Sequence, residues 1–129
     1  MRTKSFVIAF IAISLLPIAS AQAQVGCIGH RFSFKRDGIT YVEGSTRAGQ
    51  PCQIVFGLSG SDIQVVRTVV KPTHGILGSS AKEGNRRYIA YAPSAGFVGR
   101  DRFEVYVQST PLGGGSFSTI VKVEMNVAP

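Results

Sequence analysis

The sequence predicts an all-β protein, most simply an antiparallel β-sandwich of seven to eight short strands. From residue 28 onward apolar side chains recur at every second position, which is the period of a half-buried strand. Gly, Pro, Asn and Asp separate these segments at intervals of about 8 to 15 residues, a spacing typical of sandwiches. A closed barrel has a similar number of strands and is the alternative.

The first 23 residues are interpreted as a secretory signal peptide. Two basic residues lie within the first four positions, an apolar run follows over residues 6–19, and Ala21-Gln22-Ala23 supplies a small-residue cleavage site. A helix over this run would rise about 21 Å, which is too short for a hydrocarbon core of about 30 Å. The helix length therefore argues against a membrane anchor. A lipoprotein is a further alternative, because Cys27 lies near the cleavage region, but no lipobox-like residue precedes it. We therefore expect cleavage after Ala23.

Cleavage there would leave residues 24–129 as one domain without a transmembrane segment, in the periplasm or secreted. The whole chain has a net charge of +7, and removing Arg2 and Lys4 leaves 12 basic against 7 acidic residues, a net charge of +5. Because export argues against nucleic acid as the partner, this positive charge points to envelope components or other anionic material.

Cys27 and Cys52 are the only cysteines, and we expect them to form a disulfide in an oxidising compartment. The bond would close a loop of about 26 residues and contribute about 3.5 kcal/mol in a loop-entropy description. A redox-active pair would need a Cys-x-x-Cys spacing, which is absent.

The strands follow in order along the mature chain. The first half predicts strands through Ile28, His30, Phe32 and Phe34, through Ile39 and Tyr41 after an Asp37-Gly38 turn, through Cys52, Ile54, Phe56 and Leu58, and through Ile63, Val65 and Val69. The second half predicts a short strand at Ile76-Leu77, then strands over residues 88–91, 103–107 and 117–127. A glycine-rich hairpin tip over residues 110–116 precedes the last of these.

One motif stands out in the second half: P-x-H-G followed by Y-x-P-x-x-G-F-x-G-x-D-x-F. Its residues are Pro72, His74, Gly75, Tyr91, Pro93, Gly96, Phe97, Gly99, Asp101 and Phe103. The motif resembles that of bacterial immunoglobulin-like and cadherin-like repeat domains. The resemblance implies an antiparallel immunoglobulin-like sandwich in a bacterial protein, with a role in binding or adhesion.

The same motif has a physical interpretation as a corner. Pro93 lacks the N–H needed to continue a strand, and Gly96 and Gly99 permit positive φ. Phe97 between them is expected to plug the edge of the sandwich. Asp101 is expected to accept hydrogen bonds from the N–H groups of its own corner. The motif is therefore predicted to be structural.

Metal binding and catalysis are not predicted. Cadherin-type calcium sites use an Asp-x-Asn-Asp-Asn linker, whereas the seven acidic residues of this chain are scattered. The only histidines are His30 and His74, and neither these two with Asp101 nor the Gly57–Ser61 loop has a spacing typical of a catalytic site. We expect no cofactor, no metal and no enzymatic activity.

Two binding functions remain. The first is an exported, non-catalytic module for protein binding, adhesion or envelope assembly, which would bind an unidentified partner through sheet edges or loops. The alternative is a binder of cell-envelope glycans or polyanions, using Arg86, Arg87, Arg100 and Arg102. We favour the simpler interpretation that these arginines are solvated charges that keep a β-protein soluble.

Overall fold

A computed structural model describes residues 25–29 and 31–129, and the regular secondary structure of these residues is entirely β. The predicted signal peptide, its cleavage site after Ala23 and His30 lie outside the described residues. The eight strands are β1 (Gly38–Arg47), β2 (Cys52–Phe56), β3 (Ser61–Val70), β4 (Gly75–Leu77), β5 (Ala81–Glu83), β6 (Arg86–Pro93), β7 (Gly99–Pro111) and β8 (Phe117–Ala128).

The strands form two sheets around one core. The first sheet has the order β1-β8-β7-β3, and the second has the order β2-β6-β4, with β5 pairing to the same strand β6. The all-β prediction is confirmed, and the strands form two sheets of a sandwich rather than one closed barrel. The long β7–β8 hairpin and β6 supply most of the framework, because each is paired on both sides.

The expectation of a wholly antiparallel sandwich is wrong. Strand β1 pairs with β8 in parallel, from Gly38 opposite Thr119 to Arg47 opposite Ala128. A second parallel contact joins Gly26 to Gln53 at the edge of β2. Alternation of apolar residues fixes which face of a strand is buried but carries no information on its direction, so the sequence pattern could not reveal these pairings.

The core lies between the inner faces of the two sheets. Strand β8 buries every second residue from Phe117 to Val127, as its sequence pattern predicts. Tyr91 of the second sheet stacks on Phe103 of the first, with ring centroids 5.5 Å apart. The two sheets are thus joined by direct aromatic packing inside the sandwich.

Strand β1 buries the face opposite to the one that its apolar residues Ile39 and Tyr41 suggest. Ile39 and Tyr41 point to solvent, while Thr40 and Val42 are buried. The hydroxyl oxygen of Thr40 lies 2.8 Å from that of Thr119. Because the two hydroxyl groups satisfy each other, a threonine can occupy the core here at little cost.

Strand β3 departs from simple alternation because it is bulged. Register shifts occur between Ile63 and Val65 and again between Thr68 and Val70. Ile63 and Val66 are consequently the buried apolar residues of the strand, and the predicted face through Val65 and Val69 is interrupted. Bulges at the edge of a sheet also make it a poor template for pairing with other chains.

The predicted strand from Ile28 to Phe34 is absent from the described part of this segment. At Cys27 this segment lies between β2 and β1. The Cys27 N–H donates to the Gln53 carbonyl of β2, and the Ser45 N–H of β1 donates to the Cys27 carbonyl. Its alternating aromatic residues still turn inward, and the rings of Phe32 and Phe34 lie 6.2 and 6.4 Å from that of Phe56. The segment therefore covers the open side of the sandwich without forming a ladder.

The predicted disulfide between Cys27 and Cys52 is present, and both residues are buried. The bond fastens the incoming chain to the start of β2. Of the described residues, none forms a helix long and apolar enough to cross a membrane. The disulfide is compatible with a periplasmic or extracellular protein.

The sandwich has two ends that differ in construction. We call the end with the turns at residues 48–51, 71–74 and 94–98 the corner end. The opposite end, with the turns at residues 57–60, 84–85 and 112–116, is called the loop end. Hydrogen bonds join neighbouring turns at each end, from Ser94 to His74 at the corner end and from Leu112 to Gly60 at the loop end.

Candidate binding surface

The motif residues all come together at the corner end, around the buried carboxylate of Asp101, which is 2% exposed. Oδ1 accepts hydrogen bonds from the backbone N–H groups of Thr73 (3.0 Å), His74 (3.2 Å) and Arg102 (3.0 Å). Oδ2 accepts a hydrogen bond from the Tyr91 hydroxyl at 2.6 Å and shares the His74 N–H, at 3.2 Å. The Arg102 N–H is the only one of these backbone donors that is local to Asp101, and the other two come from the distant turn at residues 71–74.

This network also perturbs Tyr91. Burial, and then the hydrogen bond to Asp101 and its negative charge, raise the pKa of the Tyr91 hydroxyl well above its ordinary value. Tyr91 thus remains a donor across the physiological pH range. With four donors around it, the Asp101 carboxylate is occupied in holding β6, β7 and the turn before β4 together.

Phe97 lies half-buried over the same end. Its ring stacks on His74 with centroids 4.2 Å apart and planes inclined by 6°, and it packs against the core cluster. Gly96 and Gly99 on either side have positive φ values of 77° and 137°, which favour glycine. His74 therefore lies in an aromatic stack over a hydrogen-bonded turn.

The remaining motif residues support the same construction. Pro93 is the last residue of β6 and pairs with Gly75, the first residue of β4. A Cβ at Gly75 would lie 2.7 Å from the Ala92 carbonyl oxygen and from the Tyr91 ring, so the close approach of β4 requires glycine. Pro72 is half-buried in the preceding turn.

The four candidate arginines do not form one patch. Arg86 and Arg87 begin β6 at the loop end, and Arg87 donates to the Ile63 carbonyl, which lies opposite Ser109 of β7. Arg102 is seven residues from Ser109 along β7, which separates the two pairs of arginines by about 23 Å at 3.3 Å per residue. Arg100 and Arg102 both pair with Glu124, at 3.4 and 3.3 Å, so one carboxylate offsets part of their positive charge.

The loop end carries an exposed patch that the sequence analysis did not identify as a site. Leu112, at the tip of the β7–β8 hairpin, is 81% exposed, and Leu58 is exposed in the adjacent 57–60 turn. The Arg86 side chain lies beside Gly57, and the Arg36 guanidinium lies 4.5 Å above the ring of Phe117. We call Leu58, Leu112, Arg36, Arg86 and Arg87 the loop-end patch.

A second surface lies on the outer face of the first sheet, where a shallow cavity of about 570 Å³ opens beside Tyr41. We call it the Tyr41 groove, and its charged lining is Glu43, Arg102, Glu104, Lys122 and Glu124. Tyr41 itself is 74% exposed. A smaller cavity of about 350 Å³ lies on the same face, beside Ile39, Tyr106 and Ile120.

Among the described residues, no group of three or more His, Cys, Asp or Glu side chains is arranged to hold a metal ion. His30 lies outside those residues, so the set of His30, His74 and Asp101 is not described as a whole. The geometry of the described residues therefore directs attention to the loop-end patch and the Tyr41 groove.

Comparisons with known proteins add little. No protein family profile matches the chain, and no curated protein matches it significantly. Among solved structures, the Plasmodium falciparum protein Pf12p is similar over 70% of this chain at 6% identity, with a TM-score of 0.39. The chain spans 42% of the length of that structure.

Proposed function

We propose that the protein is an exported, non-catalytic immunoglobulin-like module that binds another protein through its loop-end patch, in adhesion or envelope assembly. The single observation that carries this proposal is the hairpin tip with Leu112, an aliphatic side chain that is 81% exposed on a hydrogen-bonded loop. Exposed apolar side chains rimmed by polar ones are typical of protein interaction sites.

An immunoglobulin-like topology and export are part of the proposal. Two facing sheets, together with the corner built on Asp101 and Phe97, support the resemblance to bacterial immunoglobulin-like and cadherin-like repeats. The buried Cys27–Cys52 disulfide supports maturation in an oxidising compartment. Cleavage of a signal peptide after Ala23, with residues 24–129 as the mature domain, accords with both.

A non-catalytic role is supported by the way the motif residues are used. Asp101 is 2% exposed and surrounded by four hydrogen-bond donors. A carboxylate in this position cannot reach a substrate or accept its proton without breaking the corner. The motif therefore serves the fold, while binding falls to exposed side chains elsewhere.

The composition of the loop-end patch indicates the kind of protein partner. The patch combines two leucines with three arginines, and Arg is a residue type enriched at the centres of protein interfaces. The stack of Arg36 on Phe117 restrains the guanidinium before binding, which reduces the entropy lost on association. An acidic protein surface with an apolar depression would complement this patch.

The test places a photo-crosslinking amino acid at position 112, with position 76 as the control. Ile76 is also an exposed aliphatic residue, at 71%, but it belongs to β4 on the other sheet. We expect one defined protein adduct from position 112 in the envelope or extracellular fraction, no adduct from position 76, and loss of the complex on Leu112→Ser. Equal labelling from both positions, or a complex unaffected by Leu112→Ser, would contradict the proposal.

Polyanion binding is the second candidate and is favoured by the three arginines of the same patch. It predicts binding to heparin that weakens between about 0.05 M and about 0.5 M NaCl, because exposed charges are screened. It also predicts loss on Arg86→Ala with Arg87→Ala but no dependence on Leu112. Arg100 and Arg102 would contribute little, since Glu124 already pairs with both.

A further inference from the structure

We infer that the Tyr41 groove is a second binding site, and that its ligand is a neutral oligosaccharide. The groove lies on the outer face of the first sheet, whereas the loop-end patch lies at one end of the sandwich. The inference is thus independent of the protein-binding proposal. It rests on the exposure of Tyr41, the charge balance of the lining, and the size and rigidity of the groove.

Tyr41 provides an exposed aromatic surface on which a sugar ring can stack. Its side chain is 74% exposed, although the neighbouring strand positions that turn inward hold Thr40 and Val42. The strand thus directs its one aromatic residue outward and the small polar residue Thr40 into the core. A tyrosine ring offers a flat apolar face with a polar tip, and the C–H face of a pyranose ring stacks on such a surface.

The charges that line the groove cancel. Lys122 pairs with Glu104 at 3.5 Å, and Glu124 pairs with Arg100 and Arg102. Counting Glu43, the groove and its pairing partners carry three acidic and three basic side chains. A polyanion would have to compete with carboxylates already bound to every cation, so a neutral ligand fits this lining better.

The same side chains can hydrogen-bond a sugar. Carboxylates accept and the guanidinium and ammonium groups donate, which matches hydroxyl groups that do both. Hydrogen bonds to charged groups are stronger than those between neutral groups. Cross-strand pairing aligns Tyr41 with Lys122 and Glu104, so the stacking platform and the hydrogen-bonding groups form one row across three strands.

The groove also has a suitable size and rigidity. Its volume of about 570 Å³ falls within the range of about 300 to 1,000 Å³ typical of small-ligand sites. The residues project from β1, β8 and β7, strands that are hydrogen-bonded along their length. Ion pairs hold the charged side chains in place before binding, which lowers the entropy lost when a ligand is bound.

The experiment titrates the purified protein with cellohexaose and chitohexaose, two neutral hexasaccharides, and with heparin as the charged comparison. We expect at least one hexasaccharide to bind with a Kd below about 1 mM, with similar affinity at about 0.05 M and about 0.5 M NaCl. Tyr41→Ala should weaken binding by about tenfold or more. Ile76→Ala, an equally exposed position on the other sheet, should leave it unchanged.

The inference fails if neither hexasaccharide binds at that concentration, if only heparin binds, or if Tyr41→Ala retains the wild-type affinity. Leu112→Ser separates this result from the protein-binding proposal. That substitution should abolish the protein complex and leave the hexasaccharide affinity unaltered, because Leu112 is remote from the groove lining. Loss of both activities on Leu112→Ser would overturn the assignment of two sites.

Discussion

The two ends of the sandwich use their side chains in opposite ways. At the corner end Asp101, Tyr91 and the turn at residues 71–74 direct their polar groups inward, into one hydrogen-bonded network. At the loop end Leu112 and Leu58 are exposed, and the Arg86 side chain lies beside Gly57, the residue before Leu58. Turns connect the strands at both ends, and the ends differ in where the side chains of those turns point.

This contrast separates stability from binding in one small domain. The network at the corner end contains a buried carboxylate whose removal would leave several donors unpaired, so substitutions there should act on folding. The side chains of the loop-end patch contribute little to the core, so substitutions there should act on binding. The predictions below test that separation, beginning with the largest expected effect.

Asp101→Ala should lower the free energy of unfolding by about 4 kcal/mol, because the buried Tyr91 hydroxyl and three backbone N–H groups lose their acceptor. Urea denaturation measures this change, with far-UV circular dichroism as the probe because the chain has no tryptophan for fluorescence. The matched control is Asp62→Ala, which breaks an exposed pair with Lys82 and should cost less than about 1 kcal/mol. Equal losses at the two positions would show that the corner network has no special role.

Loss of the disulfide should have the next largest effect. Cys52 pairs with Tyr91 across β2 and β6, so the bond reinforces the same end of the molecule as Asp101. Cys27→Ser with Cys52→Ser should lower the free energy of unfolding by about 3.5 kcal/mol, because the unfolded chain gains conformational entropy without the cross-link. Addition of a reductant to the wild-type protein should give a similar loss and leave the double variant unchanged.

A reductant that shifts wild type and double variant equally would instead point to a general solvent effect. Binding through Leu112 should survive the double substitution at temperatures where the domain remains folded. That result would sharpen the contrast between the ends, because a bond at one end would alter stability without altering recognition at the other.

The sequence predicted most of the second half of the fold for identifiable reasons, although it did not predict the short strand β5. Strand β8 alternates without interruption from Phe117 to Val127, and Pro93, Gly96 and Gly99 mark where β6 ends and β7 begins. These signals are local, so they can be read without knowing the neighbouring strands. The corner's hydrogen-bond partners could not be read in this way, because Thr73 and His74 lie 28 and 27 residues from Asp101.

The first half was less predictable because its pattern depends on tertiary contacts. Phe32 and Phe34 alternate as in a strand, yet they pack on Phe56 from an irregular segment. In β1 both faces carry plausible core residues, and the pairing of Thr40 with Thr119 helps the core to accept the face with the threonines. The exposure of Tyr41, and with it the groove, follows from that long-range contact.

Tyr91→Phe should have the smallest effect of the three changes at the corner end, about 2 kcal/mol at pH 7, because one hydrogen bond to a charged acceptor is lost. Its pH dependence is distinctive. Burial, followed by the hydrogen bond to Asp101 and its charge, raises the folded-state pKa of Tyr91 above the ordinary value of 10.0. Stability from the protonated hydroxyl is therefore fully present below pH 10.

Above pH 10 the unfolded tyrosine ionises while the folded one stays protonated, so this stability declines by about 1.4 kcal/mol per pH unit. The difference between wild type and Tyr91→Phe should accordingly shrink between pH 10 and pH 11 in denaturation experiments. Tyr106→Phe is the control, since Tyr106 lies on the outer face beneath Arg67 and should show little change at any pH. A difference for Tyr91→Phe that stays constant from pH 7 to pH 11 would mean that the hydroxyl is not held by Asp101, and the contrast between the two ends would lose its main support.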